Sequence, residues 1–186
     1  MKGFFYVFYY LRTVMKLKGA YRIAAILALL ALNISCDQVT KSMMRDHINI
    51  YDQYYFLDGH VTLLHVENTG AFLSLGDKLV QPFRFIVLTL LPILALVGGL
   101  VYVMMKPKMS PIMAMGIVCC IGGGIGNLYD RIAHGSVTDF VHLKFGPLQT
   151  GIFNAADVSI MIGLGLILLD GFVSKRRQNS GGASAQ

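Results

Sequence analysis

The chain has 186 residues, enough for one domain; 55% are hydrophobic and only 14% charged, with a mean hydropathy of +0.60. A water-soluble domain carries about 25% charged residues, so this composition excludes an ordinary soluble enzyme and calls for an apolar solvent. The net charge of +6 sits mainly at the ends of apolar runs, not on a polar face interleaved with aromatics, which argues for a bilayer and against a nucleic-acid partner.

Residues 1–20 read as a cytoplasmic extension. Its first part, Met1 to Met15, is rich in Phe and Tyr but too short and interrupted to span. It reads as an interfacial segment, or else the true start is Met15. Residues 21–174 form the expected membrane domain, with four apolar runs: about Tyr21 to Val39, Phe83 to Met105, Pro111 to Leu128 and Phe153 to Val173. Each is near the ~20 residues that cross a ~30 Å hydrocarbon core as a helix. No small-x-small cleavage site follows the first run, so it is expected to be retained. Pro92 inside the second predicts a kink. The Gly/Ser/Ala-rich tail, within 175–186, is expected to be cytoplasmic and disordered.

Lys and Arg set the orientation. Lys2, Arg12, Lys16, Lys18, Arg22, Lys106, Lys108, Lys175, Arg176 and Arg177 all fall on one side of a four-span layout, which should be cytoplasmic and hold both termini. Of the ten acids, only Asp170 falls on that side; Asp37, Asp46, Asp52, Asp58, Glu67, Asp77, Asp130, Asp139 and Asp157 face the other. The chemistry is therefore expected outside the cytoplasm. Two outer segments contain strand-like runs, His60 to Val66 and Ser136 to Val141. They predict a small β-element above an α-helical bundle, able to grip an extended peptide by backbone pairing.

Ionisable residues at membrane helices are costly and are functional candidates by default. Asp37 and Lys41 stand at i, i+4 on one helix face, as a surface ion pair or as part of a site. Asn68-Thr69-Gly70-Ala71-Phe72 reads as a turn, with Asn68 a candidate to hold a substrate backbone. In Gly122-Gly123-Gly124-Ile125-Gly126 no Gly-Lys-Ser/Thr follows, so the glycines are no phosphate loop and more simply let helices approach. Asn127, Asp130 and Arg131 then form one polar face.

Asp157 lies about one turn into the fourth run, with Asn154 one turn before it and no basic residue nearby. A carboxylate there needs a partner or a task, and Asp139 is the candidate to share it. Two carboxylates sharing a site divide into one protonated and one ionised, the division that amide hydrolysis by an aspartic dyad uses. The spacing also allows both to be helix and turn caps. A metal site is not expected: His47, His60, His65, His134 and His142 show no ligand spacing. Cys36, Cys119 and Cys120 form no CxxC pair and read as inert thiols. A transporter subunit with Asp157 as a proton relay would need a polar track through the bilayer, and a scaffold would need neither aspartate.

The blocks DQVTK at 37–41, NTGAF at 68–72, GGGIGNLYDR at 122–131, VTDF at 137–140 and FNAAD at 153–157 together resemble the type II, or lipoprotein, signal peptidases, the aspartyl peptidase family A8. The resemblance covers about Ile23 to Val173. It implies a multi-pass inner-membrane endopeptidase with catalytic Asp139 and Asp157. It implies supporting or substrate-contacting roles for Asp37, Lys41, Asn68, Gly123, Asn127, Arg131, Asn154 and Ala156, with Asp130 as structural support. The implied substrates are prolipoproteins whose Cys already carries diacylglycerol, cut just before that Cys beside the membrane lipids. It further implies no metal or organic cofactor, a monomer sufficient for the chemistry, and inhibition by globomycin. The extension before Met15 and Cys36 beside Asp37 depart from the family pattern.

Overall fold

In the computed structural model of the chain, residues 19–70 and 79–182 are described, with side chains as far as 175. The segment Met1 to Met15, Ala71 and Phe72 of the NTGAF block, Asp77 and the end of the tail lie outside the described residues. Four helices are long and apolar enough to cross a membrane: α1 (Gly19–His47), α2 (Phe83–Met105), α3 (Pro111–His134) and α4 (Ala155–Gly182). The expected α-helical membrane architecture is therefore present. α1, at 29 residues, is about 44 Å long by the helical rise, so it passes the apolar run and carries Asp37, Lys41 and Arg45 beyond it. α4 continues helically to Gly182, where composition suggested a disordered tail.

Helix ends follow their local sequence. Ser110 caps α3, its hydroxyl accepting from Met113 N at 3.0 Å, with Pro111 at the first helical position, where its missing N–H leaves no bond unmade. Gly135 ends α3 at φ +78° and donates its N–H to Arg131 O, a left-handed turn that glycine adopts without strain. Pro92 does bring an irregularity: Ile86–Leu90 is a π-helical turn immediately before it. The wider turn relieves the ladder at the position where proline removes a donor.

α3 is the hub and packs against α1, α2 and α4. Ile26 and Leu30 of α1, Val103 of α2, and Ala114, Met115, Val118 and Ile121 of α3 form the buried core. Outward-facing Leu94, Val97, Val101, Met161, Leu168 and Phe172 are exposed, as expected of helices apolar all round in a lipid solvent. The one acid expected at the opposite end, Asp170, is buried there and accepts a hydrogen bond from the Ser110 hydroxyl.

The two strand-like runs form β2 (Val61–Asn68) and β3 (Val137–Phe145) of one antiparallel sheet, to which β1 (Gln53–Phe56) and β4 (Leu148–Gln149) add the edges, in the spatial order β1-β2-β3-β4. Its register sets Val66 opposite Asp139 and Asn68 opposite Val137, with an irregularity between Leu63 and Val66. The chain then returns to β3 through Val141 and Phe153, which exchange backbone hydrogen bonds of 2.9 Å. That return delivers Asn154 beside Asp139 and starts α4 at the foot of the sheet.

Candidate active site

Asn154 and Asp157 open α4 by capping each other. Asp157 N donates to Asn154 Oδ1 at 3.0 Å, and Asn154 N donates to Asp157 Oδ2 at 3.2 Å. This is a reciprocal cap of the Ser-x-x-Glu kind built from Asn and Asp. It leaves Asn154 Nδ2 free to donate to Asp139 Oδ1 at 2.6 Å and to Asn127 Oδ1 at 3.1 Å. Asn127 on α3 in turn donates to Asp157 Oδ1 at 2.9 Å. Asn68, the last residue of β2, donates to Asp139 Oδ2 at 2.9 Å. The two carboxylates do not bond to each other. Each is aimed by asparagine amides, and Asn154 holds both.

Behind them lies a charge cluster removed from solvent. Lys41 is fully buried and uses all three ammonium hydrogens: on Asp37 Oδ2 at 2.9 Å, Asp130 Oδ2 at 3.0 Å and Asn127 Oδ1 at 2.8 Å. The Asp37–Lys41 pair is thus no surface ion pair; it faces α3 inside the bundle. Asp37 Oδ1 accepts from Ala156 N at 2.9 Å, satisfying one of the orphan donors of the α4 N-terminus. Gln38 bridges Asp37, the Gly126 carbonyl and Asp130. Arg131 donates to Asn127 O at 3.1 Å and to Gly70 O at 2.7 Å, tying the end of β2 to α3. Gly123 sits where a Cβ would collide with the Ala156 carbonyl, so only glycine lets α3 and the first turn of α4 close together at this level.

Asp139 and Asp157 line one cavity of about 450 Å³, with Asn68, Asn127 and Arg131 at its polar end and Val137, Phe153, Val158, Met161 and Ile162 along its apolar walls. Burial pushes the Asp139 carboxyl up from an ordinary 3.8 to about 6; hydrogen bonds from Asn68 and Asn154 pull the other way, and the charge of Asp157 adds to the rise. A carboxyl that keeps its proton up to about pH 6, with a second carboxyl on the same cavity, is an arrangement that can divide into one acid and one base.

The structure brings together Asp37, Lys41, Asn68, Gly123, Asn127, Arg131, Asp139, Asn154, Ala156 and Asp157, the ten residues expected in or around the site. Sequence reasoning overlooked Gln38, which bonds Asp37 and Asp130, and Arg45, Glu67, Ser136 and Thr138, which bond one another on the strands that carry Asn68 and Asp139 or beside them. Their signal was available only in part: Ser136 and Thr138 alternate along the β3 run, but nothing local shows that Glu67 faces them. The cysteines are unpaired. Among the described residues no three His, Cys, Asp or Glu side chains are grouped as metal ligands.

The family model described as signal peptidase (SPase) II matches residues 29–173. The lipoprotein signal peptidase of Maridesulfovibrio salexigens is 32% identical over 158 residues, covering 83% of this chain and 98% of that protein. That of Bacillus pumilus is 33% identical over 147 residues, covering 76% and 91%. That of Aquifex aeolicus is 31% identical over 144 residues, covering 77% and 81%. A solved structure described as a bacterial membrane enzyme is 25% identical and superposes with a TM-score of 0.70, covering 82% of this chain and 90% of that one. The matched stretch runs from the middle of α1 into α4 and takes in the sheet and the whole polar cluster, so the chain belongs to the signal peptidase II family.

Proposed function

We propose that this membrane peptidase is an aspartic endopeptidase that removes signal peptides from prolipoproteins whose Cys already carries diacylglycerol, cutting just before that Cys, with Asp139 and Asp157 as the catalytic pair. The observation that carries the reading is the pair itself: two carboxylates on one cavity wall, each oriented by an asparagine, and one of them with a raised proton affinity. Asp157, ionised, takes a proton from the attacking water. Asp139, protonated, donates to the scissile carbonyl and stabilises the oxyanion of the tetrahedral intermediate. Collapse of that intermediate breaks the C–N bond, and the proton gained by Asp157 passes to the leaving amine.

The apolar walls favour a substrate that stays in the membrane. Extracting acyl chains from the bilayer costs about 0.8 kcal/mol per CH₂, so a site at the membrane surface reaches a lipid-bearing Cys where a water-soluble protease would have to lift it out. The positive charge on the inner loops supports an inner-membrane protein with both termini cytoplasmic and the site at the outer leaflet. One chain supplies every group in this scheme, and globomycin is expected to block it.

The test uses the purified protein in lipid micelles with one prolipoprotein, supplied with and without the diacylglyceryl group. Mass spectrometry should find a lipid-bearing product that begins at the modified Cys, and little product from the unlipidated form. Equal cutting of both forms, or a cut elsewhere, would overturn the substrate assignment.

A further inference from the structure

On the side of Asp139 away from Asp157, a second polar cluster joins α1, β2 and β3. His65 is almost fully buried, and both of its ring nitrogens meet acceptors: Nδ1 lies 3.0 Å from Ile48 O, and Nε2 lies 2.7 Å from Glu67 Oε1. A neutral imidazole carries one N–H and can satisfy only one of these. Glu67 favours its carboxylate form, because other donors already point at both of its oxygens. Thr138 takes a hydrogen bond from Arg45 Nη1 at 2.9 Å, so its hydroxyl hydrogen is turned to Glu67 Oε1 at 3.0 Å, and the Ser136 hydroxyl donates to Glu67 Oε2. Burial acts to raise the Glu67 carboxyl, but the hydrogen bonds from Ser136, His65 and Thr138 outweigh it and leave the group below its usual range.

We propose that His65 and Glu67 are positioning residues for Asp139, with His65 held as a doubly protonated imidazolium between the Glu67 carboxylate and the Ile48 carbonyl. The route to Asp139 is short on both strands. Glu67 precedes Asn68, which donates to Asp139 Oδ2, and it is paired in register with Thr138, which precedes Asp139. Thr138 is buried and held from two sides: its N–H by Asp130 Oδ2 at 3.3 Å and its hydroxyl by Glu67 and Arg45. Among the described residues, the charged groups that reach this cluster are Glu67 on β2 and Arg45 on α1, with Asp130 on α3 lying 3.8 Å from Arg45. Among the described residues the protonated ring is the one cation bonded directly to Glu67, and it holds the strand pair that aims Asp139.

The kinetic part rests on the peptidase reading above; the protonation part does not. Nitrogen NMR of the protein in micelles, with His65→Gln to assign the signal, should show a proton on both ring nitrogens of His65 at neutral pH, and a neutral ring in Glu67→Gln. Glu67→Gln should lower kcat on the lipidated prolipoprotein roughly tenfold while KM stays within about twofold, as for a displaced but intact catalytic group. If that variant does not fold, Ser136→Ala, which deletes one donor to the same carboxylate, serves for the kinetic comparison. A single neutral tautomer in the parent, or full kcat in the folded variant, overturns the proposal. A parent that cuts nothing removes the peptidase reading, and the ring spectrum then decides the His65 assignment alone.

Discussion

Lys41 shows how this protein keeps a cation where water cannot reach. Its ammonium has three acceptors and no exposed surface, so the desolvation penalty is offset only while both aspartates remain. Lys41→Met removes the cation shared by Asp37 and Asp130, leaving Asp130 only the more distant Arg45, and should destabilise the fold by about 3–5 kcal/mol. A marked drop in the thermal unfolding midpoint in detergent checks this; an unchanged midpoint would mean that the cluster contributes no net stability. Asp139 carries the opposite sign. The native carboxyl keeps its proton up to about 6, whereas the unfolded one releases it near 3.8. The folded state thus binds more protons between those values, and stability falls as pH rises through that window. Asp139→Asn should abolish that fall, which unfolding measured across the window would reveal. In the proposed mechanism the same titration makes kcat/KM decline above about pH 6 as Asp139 loses its proton. Asp139 and Asp157 were legible as a pair from their isolation in an apolar chain. Asn68, Asn127 and Asn154 were legible as polar candidates, but not their bonds to the two carboxylates, because those partners lie on other elements.

Among the elements, the contact of α3 with the start of α4 is the most exacting. Gly123→Ala would push a methyl against the Ala156 carbonyl, which is backbone and cannot rotate away. A loss of about 1–3 kcal/mol is expected from overpacking, together with reduced activity, because Ala156 N is the donor that fixes Asp37 and the same turn carries Asp157. Activity and unfolding midpoints of Gly123→Ala, compared with those of Gly165→Ala, where a Cβ meets nothing, separate local displacement from helix propensity. Helix existence was readable from apolar runs, since length and apolar composition together decide whether a segment can cross a bilayer. Helix ends were less readable: α1 and α3 run past their apolar stretches to His47 and His134, and the polar residues that follow those stretches, Lys41, Arg45, Asp130 and Arg131, find their partners on other elements. The two strands were visible as β-branched runs, but not their pairing, since register depends on partners distant in sequence.

At the scale of the whole molecule, the arrangement separates a basic end from an acidic one across the bundle, and the sheet stands over the acidic end. That separation came directly from the positions of Lys, Arg, Asp and Glu in the chain, and it underlies the proposed orientation. In a variant lacking the native cysteines, Tyr51→Cys, at a position 94% exposed beside β1, should react with a membrane-impermeant maleimide added to intact cells. Lys108→Cys, between α2 and α3, should react only after the membrane is opened; the reverse pattern would invert the topology. The fold, the charge asymmetry and the cavity converge on the two aspartates, so they carry the central claim. Its most direct test is cleavage of a diacylglyceryl prolipoprotein by Asp139→Asn and by Asp157→Asn, each confirmed as folded and compared with the parent. Near-complete loss of cleavage in both is the predicted result, and persistent cleavage in either one contradicts the dyad.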